Sequence, residues 1–317
     1  MSSAEDQLRS IIETAMQENS YKQASAPFGD KIDEAKTQFV TNPSAETENV
    51  KTLTAFKTGT NIDAVFLNVE NKPIDGLPYG SNSILTGLPN SGKSLLLEEI
   101  ALKVADNGKK VCYTTSEEIW KTESSRFDLE NRMKEKAKIL GISWDTIRKN
   151  LFVLDAVAHA ELRDWYTFVA AYRQLVEKEK VEMLLVDSIT MLEDSRGQLK
   201  YRLAEISKYN QLHGITAIMI NQRSIEESDG LAMAGGIALS HVVDIVMILD
   251  YKKVWTGDGA MKIDTGAKQG EVLFFFRTLK CRICKFDARY LAYKISNNGL
   301  VEFLPKPTIP VAEQGVK

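Results

Sequence analysis

The stretch Gly87-Leu88-Pro89-Asn90-Ser91-Gly92-Lys93-Ser94 has the G-x-x-x-x-G-K-[ST] spacing of a phosphate-binding loop. Its residue types suit that chemistry. Glycine lets the backbone curl so that successive N–H groups point at phosphate oxygens. A helix starting at the end of the loop adds the positive end of its dipole. In such a loop Lys93 reaches the β- and γ-phosphates of ATP, and the Ser94 hydroxyl holds Mg²⁺. The bland alternative is an ordinary glycine turn before a helix. The flanks argue against it: residues 82–86 read as a buried strand, and residues 95–102 as a helix with one apolar face.

Three further positions could complete the chemistry. Asp187 ends the apolar run Val181–Ser188, where a phosphate-loop enzyme keeps the acid of its Mg²⁺ shell. Taken alone, a strand-end Asp is usually a cap or turn residue. Glu117 and Glu118 follow the strand Lys110–Thr115; a carboxylate there can orient water and accept its proton. Neighbours on an extended chain point opposite ways, so one of the two faces the γ-phosphate. Gln222 ends the strand Ile215–Gln222, where an amide can sense the γ-phosphate, although a strand-end Gln is more often a plain surface residue.

The elements that must position these groups follow from the pattern. Strands are expected at 82–86, 110–115, 151–155, 181–188 and 215–222, with helices over 95–102, 124–140, 160–178 and 200–212. That alternation predicts a parallel, doubly wound sheet. Residues 244–250, 271–284 and 290–295 are strand-like with little helix between them, so this end of the sheet is expected to be antiparallel, with a hairpin tip over 251–270. Residues 1–54 form a polar arm, 55–304 the compact domain and 305–317 a tail. The charged stretch Arg126–Lys138 reads as a solvated helix face, and the four tryptophans as packing. Cys281 and Cys284 form C-x-x-C, but within a strand they would face opposite ways, so neither metal nor redox chemistry is expected of them.

Composition sets bounds. The chain has 317 residues and a net charge of -3, so nothing drives it globally toward nucleic acid. No apolar run is long enough to span a bilayer, and the N-terminus lacks the basic and apolar regions of a signal peptide. Three cysteines make no disulfide framework. A cytoplasmic protein with no membrane contact is expected.

Taken together, these motifs resemble the RecA/RadA recombinase and KaiC-like ATPases, most closely the archaeal RadA-paralogue and KaiC-like group. The similarity runs from about Thr58 to Gly299. Thr58-Gly59 with Ile62-Asp63 looks like the opening signature of these domains, Thr115-Ser116-Glu117-Glu118 like the catalytic strand end, and Leu184-Leu185-Val186-Asp187-Ser188 like the Walker B strand. Ile220-Asn221-Gln222, then Ala234-Gly235-Gly236 and His241, is similar to the stretch holding the recombinases' second DNA loop. Lys280-Cys281-Arg282 resembles the K-x-R element that KaiC-like proteins offer to a neighbouring subunit's γ-phosphate, and Tyr293–Gly299 resembles the closing strand. The chain departs from recombinases in having no F-x-x-A motif between Gln38 and Phe56, no evident helix-hairpin-helix domain, and an acidic second loop over Arg223–Gly230.

The resemblance implies a RecA-like P-loop NTPase core, ATP and Mg²⁺ as ligands, and slow hydrolysis that depends on a homo-oligomer, either a ring or a short filament. Glu117 would position water, with Glu118 as its paired acid. Gln222 would sense the γ-phosphate, and Lys280 and Arg282 would act in trans. One reading is a recombinase paralogue in DNA recombination or repair, touching single-stranded DNA through Arg196, Lys200 and Arg202 around the aromatic Tyr201. The other is a KaiC-like regulatory module that binds a protein partner, a recombinase or another protein, through the N-terminal arm.

Overall fold

The computed structural model describes residues 52–192, 199–222, 241–254 and 268–309. Most of the N-terminal arm, Arg196, the acidic second loop with Ala234–Gly236, Trp255 and the hairpin tip lie outside the described residues.

Three short strands come first among the described residues: β1 (Ala55–Phe56), β2 (Phe66–Leu67) and β3 (Leu77–Pro78). Then β4 (Asn82–Gly87) leads through the phosphate loop into α1 (Lys93–Asp106). Next come β5 (Val111–Thr115), α2 (Leu129–Ile139), α3 (Trp144–Asn150), β6 (Leu151–Asp155), α4 (Trp165–Glu179), β7 (Met183–Asp187), α5 (Leu199–His213) and β8 (Thr216–Gln222). The chain finishes with β9 (Ile245–Lys253), β10 (Val272–Cys281), β11 (Lys285–Phe286), β12 (Tyr290–Ile295) and β13 (Val301–Ile309).

Nine strands form one sheet in the order β13-β12-β10-β9-β4-β8-β7-β5-β6. The run β9-β4-β8-β7-β5-β6 is parallel, and β10, β12 and β13 add antiparallel strands at one edge. The parallel strands are buried almost throughout because both faces are covered, with β7 nearly all apolar and β4, β5 and β8 carrying buried polar residues such as Asn82, Thr114 and Asn221. Alternate residues serve opposite layers. Leu185 packs with α1, α2 and α3 on one face, while Leu184 and Val186 pack with α4 and α5 on the other.

Five details depart from the sequence expectation. β13 runs on to Ile309, into the stretch expected to be a tail, because it pairs with β12 as far as Tyr290. β9 pairs parallel with β4 and antiparallel with β10, so the direction reverses one strand later than expected. The stretch from residue 124 becomes helical only at Leu129, because the Asp128 carboxylate caps it by accepting from the Asn131 N–H at 2.9 Å. Arg126–Lys138 is also not simply a solvated face, since Lys136 is only 3% exposed. Finally, β10 ends at Cys281 and a bend follows. Cys281 and Cys284 therefore do not point apart: their sulfurs lie 3.6 Å from each other.

Candidate active site

The C-terminal ends of four parallel strands, β4, β8, β7 and β5, deliver the singled-out residues to one edge of the sheet. Gly87 pairs with Gln222 across β4 and β8, and Asp187 with Thr115 across β7 and β5. The β8 strand separates the phosphate loop from the strand of Asp187.

The loop's shape follows from its sequence. A Cβ on Gly87 would sit 1.7 Å from the Leu249 carbonyl oxygen of β9, so only glycine fits between these paired strands. Gly92 and Asn90 both take left-handed backbone, with φ of 86° and 63°. That conformation is free for glycine and tolerated by asparagine, which accounts for the Pro89-Asn90-Ser91 filling. The Lys93 ammonium folds back over the loop and donates to the carbonyls of Gly87 (3.0 Å) and Leu88 (2.7 Å). Burial lowers its pKa, while Asp187, Glu117 and Asp250 oppose that shift.

Asp187 is 8% exposed. Burial pushes its carboxyl up to about 6, against a hydrogen bond from Ser94 and with the nearby negative charges of Glu117, Glu98 and Glu118 adding to the rise. The Tyr113 hydroxyl lies 3.4 Å from its Oδ2. Ser94 and Asp187 together present hard oxygen donors of the kind Mg²⁺ takes. Lys93 is satisfied within its own loop, by the Gly87 and Leu88 carbonyls and the Ser91 hydroxyl, and stands near a carboxylate lifted toward neutrality. The residues present thus fit a phosphate chain with its cation.

The two glutamates part, but through a turn rather than strand alternation, because β5 ends at Thr115 and residues 116–118 form a bend. After β5 the chain turns on Thr115, whose hydroxyl donates to the Glu118 carbonyl at 2.5 Å. The Asp155 carboxylate fixes the next residues by accepting from the Trp120 N–H at 2.8 Å. Glu117 emerges toward β8 and accepts from the Gln222 amide at 2.5 Å. Glu118 turns to α2 and pairs with Arg132 at 2.6 Å.

Several supporting residues escaped the sequence reading. Glu98 of α1 is fully buried and is held by Lys136 (2.5 Å) and Arg132 (2.6 Å), so Arg132 bridges Glu98 and Glu118. The available signal was a carboxylate pair, Glu98-Glu99, inside the otherwise apolar stretch Leu95–Leu102 of that helix. Its partners stand on α2, and nothing in the sequence links the two. The Tyr293 hydroxyl of β12 donates to the Ser91 carbonyl, and the Val301 N–H donates to Glu99 at 3.2 Å. The antiparallel edge therefore braces the phosphate loop and its helix.

Lys280 and Arg282 are not brought to this site. Lys280 pairs with Val246 and Val246 with Ile84, which puts Lys280 roughly 10 Å along the sheet from Gly87. The Lys280 ammonium donates to the Val243 carbonyl at 2.8 Å, and the Arg282 guanidinium donates to the His241 carbonyl. Among the DNA candidates, Lys200 and Tyr201 are exposed at the start of α5, with Tyr201 74% exposed. Arg202 instead donates to the Leu192 carbonyl at 3.2 Å and lies over the Trp165 ring.

The KaiC ATPase family model matches residues 56–307. The chain is 28% identical over 256 residues to the DNA repair protein RadA of Aquifex aeolicus, covering 77% of this chain and 46% of that protein. It is 26% identical over 183 residues to the DNA repair protein RadA of Campylobacter jejuni, covering 55% of this chain and 35% of that protein. The chain thus spans less than half the length of these curated relatives. A KaiC-like protein of Pyrococcus horikoshii shares the fold, with a TM-score of 0.58 at 16% identity, over 80% of this chain and all of that one. No helix among the described residues is long and apolar enough to cross a membrane.

Proposed function

The chain belongs to the KaiC ATPase family, and from that premise we propose that it hydrolyses ATP with Mg²⁺ in a homo-oligomer and acts in DNA recombination or repair. The observation that carries the catalytic part is the Glu117–Gln222 contact, made at the strand ends beside Lys93, Ser94 and Asp187.

Each residue has a task that follows from its place. The loop amides of 87–94 bind phosphate oxygens, and Lys93 leaves the Gly87 and Leu88 carbonyls to meet the β- and γ-phosphates. Ser94 and Asp187 hold Mg²⁺, which when bound neutralises charge on the phosphates. Glu117 orients water and takes its proton. Gln222 reports the γ-phosphate by exchanging its Glu117 contact for one to phosphate, and the chain after β8 feels the change. Arg132 holds Glu118 aside, which leaves Glu117 as the working carboxylate. Lys280 and Arg282 lie too far along the sheet to reach their own site, so they serve a neighbour's γ-phosphate.

The DNA role draws on the similarity to the DNA repair proteins RadA and on Lys200 and Tyr201 at the start of α5. The engagement of Arg202 with Leu192 and Trp165 favours the second reading, a nucleotide-dependent module for a protein partner. The test is ATP turnover with and without single-stranded DNA, with Lys93→Ala as the blank. Stimulation that fades with salt supports the DNA reading, because phosphate contacts release counterions. Turnover indifferent to DNA favours the protein-partner reading. Turnover no greater than that of the blank rejects the ATPase.

A further inference from the structure

Cys281 ends β10 and Cys284 lies in the bend before β11. Their sulfurs are 3.6 Å apart, and both side chains are half-buried against the core beside the exposed Arg282 and Ile283. Nothing in the phosphate-loop chemistry uses them. We propose that Cys281 and Cys284 form a reversible dithiol–disulfide site whose closure repositions Lys280 and Arg282.

The bend is built for that reaction. The backbone N–H groups of Ile283 and Cys284 point at the Cys281 sulfur, and the Cys284 thiol donates to it. These donors favour the thiolate and bring the Cys281 thiol down to about 6, while the same contact raises the pKa of Cys284. Cys281 is thus the attacking sulfur and Cys284 the resolving one. Cys112 is the built-in contrast: it is fully buried, its thiol pushed up to about 12, and out of reach of solutes.

The oxidant class is a low-molecular-weight disulfide. The Cys281 thiolate attacks one of its sulfurs, forming a mixed disulfide and expelling one thiolate. Cys284 then loses its proton to solvent and attacks the Cys281 sulfur, expelling the second thiolate. Two protein thiols lose two electrons in total, and the small disulfide becomes two thiols. A small dithiol reverses the sequence. Closure draws the sulfurs from 3.6 Å to about 2 Å. Lys280 and Arg282 flank Cys281, so their anchors on the Val243 and His241 carbonyls shift with it. This consequence for turnover rests on the in-trans role given to Lys280 and Arg282 above; the thiol chemistry does not.

The experiment equilibrates the full chain in buffers of graded oxidised-to-reduced glutathione. The sample is then quenched in acid, alkylated and digested, and the peptide bearing residues 281–284 is weighed. As the buffer becomes oxidising, the doubly alkylated peptide is expected to give way to one that carries no alkyl group and weighs about 2 Da less than the uncapped dithiol, with Cys112 alkylated only after denaturation. Cys284→Ser should instead accumulate a glutathione adduct on Cys281. A stable adduct on the wild-type chain, or two alkylatable thiols at every ratio, overturns the site. In a second arm, turnover is expected to change several-fold between reduced and oxidised chain and to be insensitive in a Cys281→Ser/Cys284→Ser variant. Equal turnover with the disulfide formed overturns the coupling to Lys280 and Arg282. Absence of turnover in every state would reject the ATPase reading, and the mass shift would still decide the dithiol.

Discussion

Replacing Lys136 with methionine tests the buried charge network behind the catalytic edge. Glu98 is fully buried and Lys136 is 3% exposed, with 2.5 Å between their charged atoms. Removing one partner of a buried pair costs roughly 3–5 kcal/mol, because the other charge stays desolvated. Here Arg132 remains on Glu98 Oε1 at 2.6 Å and is 31% exposed, so compensation survives on one side. The low end, about 3 kcal/mol, is therefore expected. Methionine keeps most of the lysine stem's packing, so cavity formation adds little. For a chain of 317 residues that loss lowers Tm by roughly 4–6 °C. Thermal unfolding followed by circular dichroism reads the shift, and urea titration should show a lower midpoint at unchanged slope. The double variant Glu98→Gln/Lys136→Met should lose less than Lys136→Met alone, since no unpaired charge remains. A loss below about 1 kcal/mol for the single variant, or a double whose cost is the sum of its singles, would refute the claim that Lys136 neutralises a desolvated charge.

Three further outcomes are expected. Burial raises the Asp187 carboxyl from 3.8 to about 6, so the folded chain binds more protons than the unfolded one between these values, and stability falls as pH rises through that window. Asp187→Asn should then melt higher than wild type at pH 7 without nucleotide or metal, by up to about 3 kcal/mol, with the gap closing near pH 4; a gap independent of pH would contradict the assignment. Tyr293→Phe leaves the Ser91 carbonyl without its buried donor, at a cost of about 1–3 kcal/mol, and should weaken binding of a fluorescent ATP analogue; unchanged affinity and Tm would show that the brace is idle. Mixing Lys93→Ala with Lys280→Ala/Arg282→Ala, each inactive alone, should restore turnover, because the first supplies the finger and the second an intact loop; mixtures as inactive as their parts would count against action between subunits.

Much of the fold and the site was legible along the chain. The phosphate loop is contiguous and its glycines answer to local backbone, so Gly87–Ser94 stands out directly, and the apolar run of β7 marks Asp187 as its end. Alternation on an extended chain led to the expectation that Glu117 and Glu118 face different ways, but the turn after Thr115 is what parts them. Tertiary structure decided the rest, since it depended on which distant segment came alongside. Only the strand order sets Gln222 against Glu117, and only the α1–α2 packing converts Arg132 and Lys136 from solvated charges into partners of a buried glutamate. The end of β10 at Cys281, which a strand-like pattern does not reveal, brings the two thiols together. Periodicity reports which face of an element is buried. What that face meets is settled by the pairing of elements far apart in sequence, and here that pairing decides which polar groups find partners.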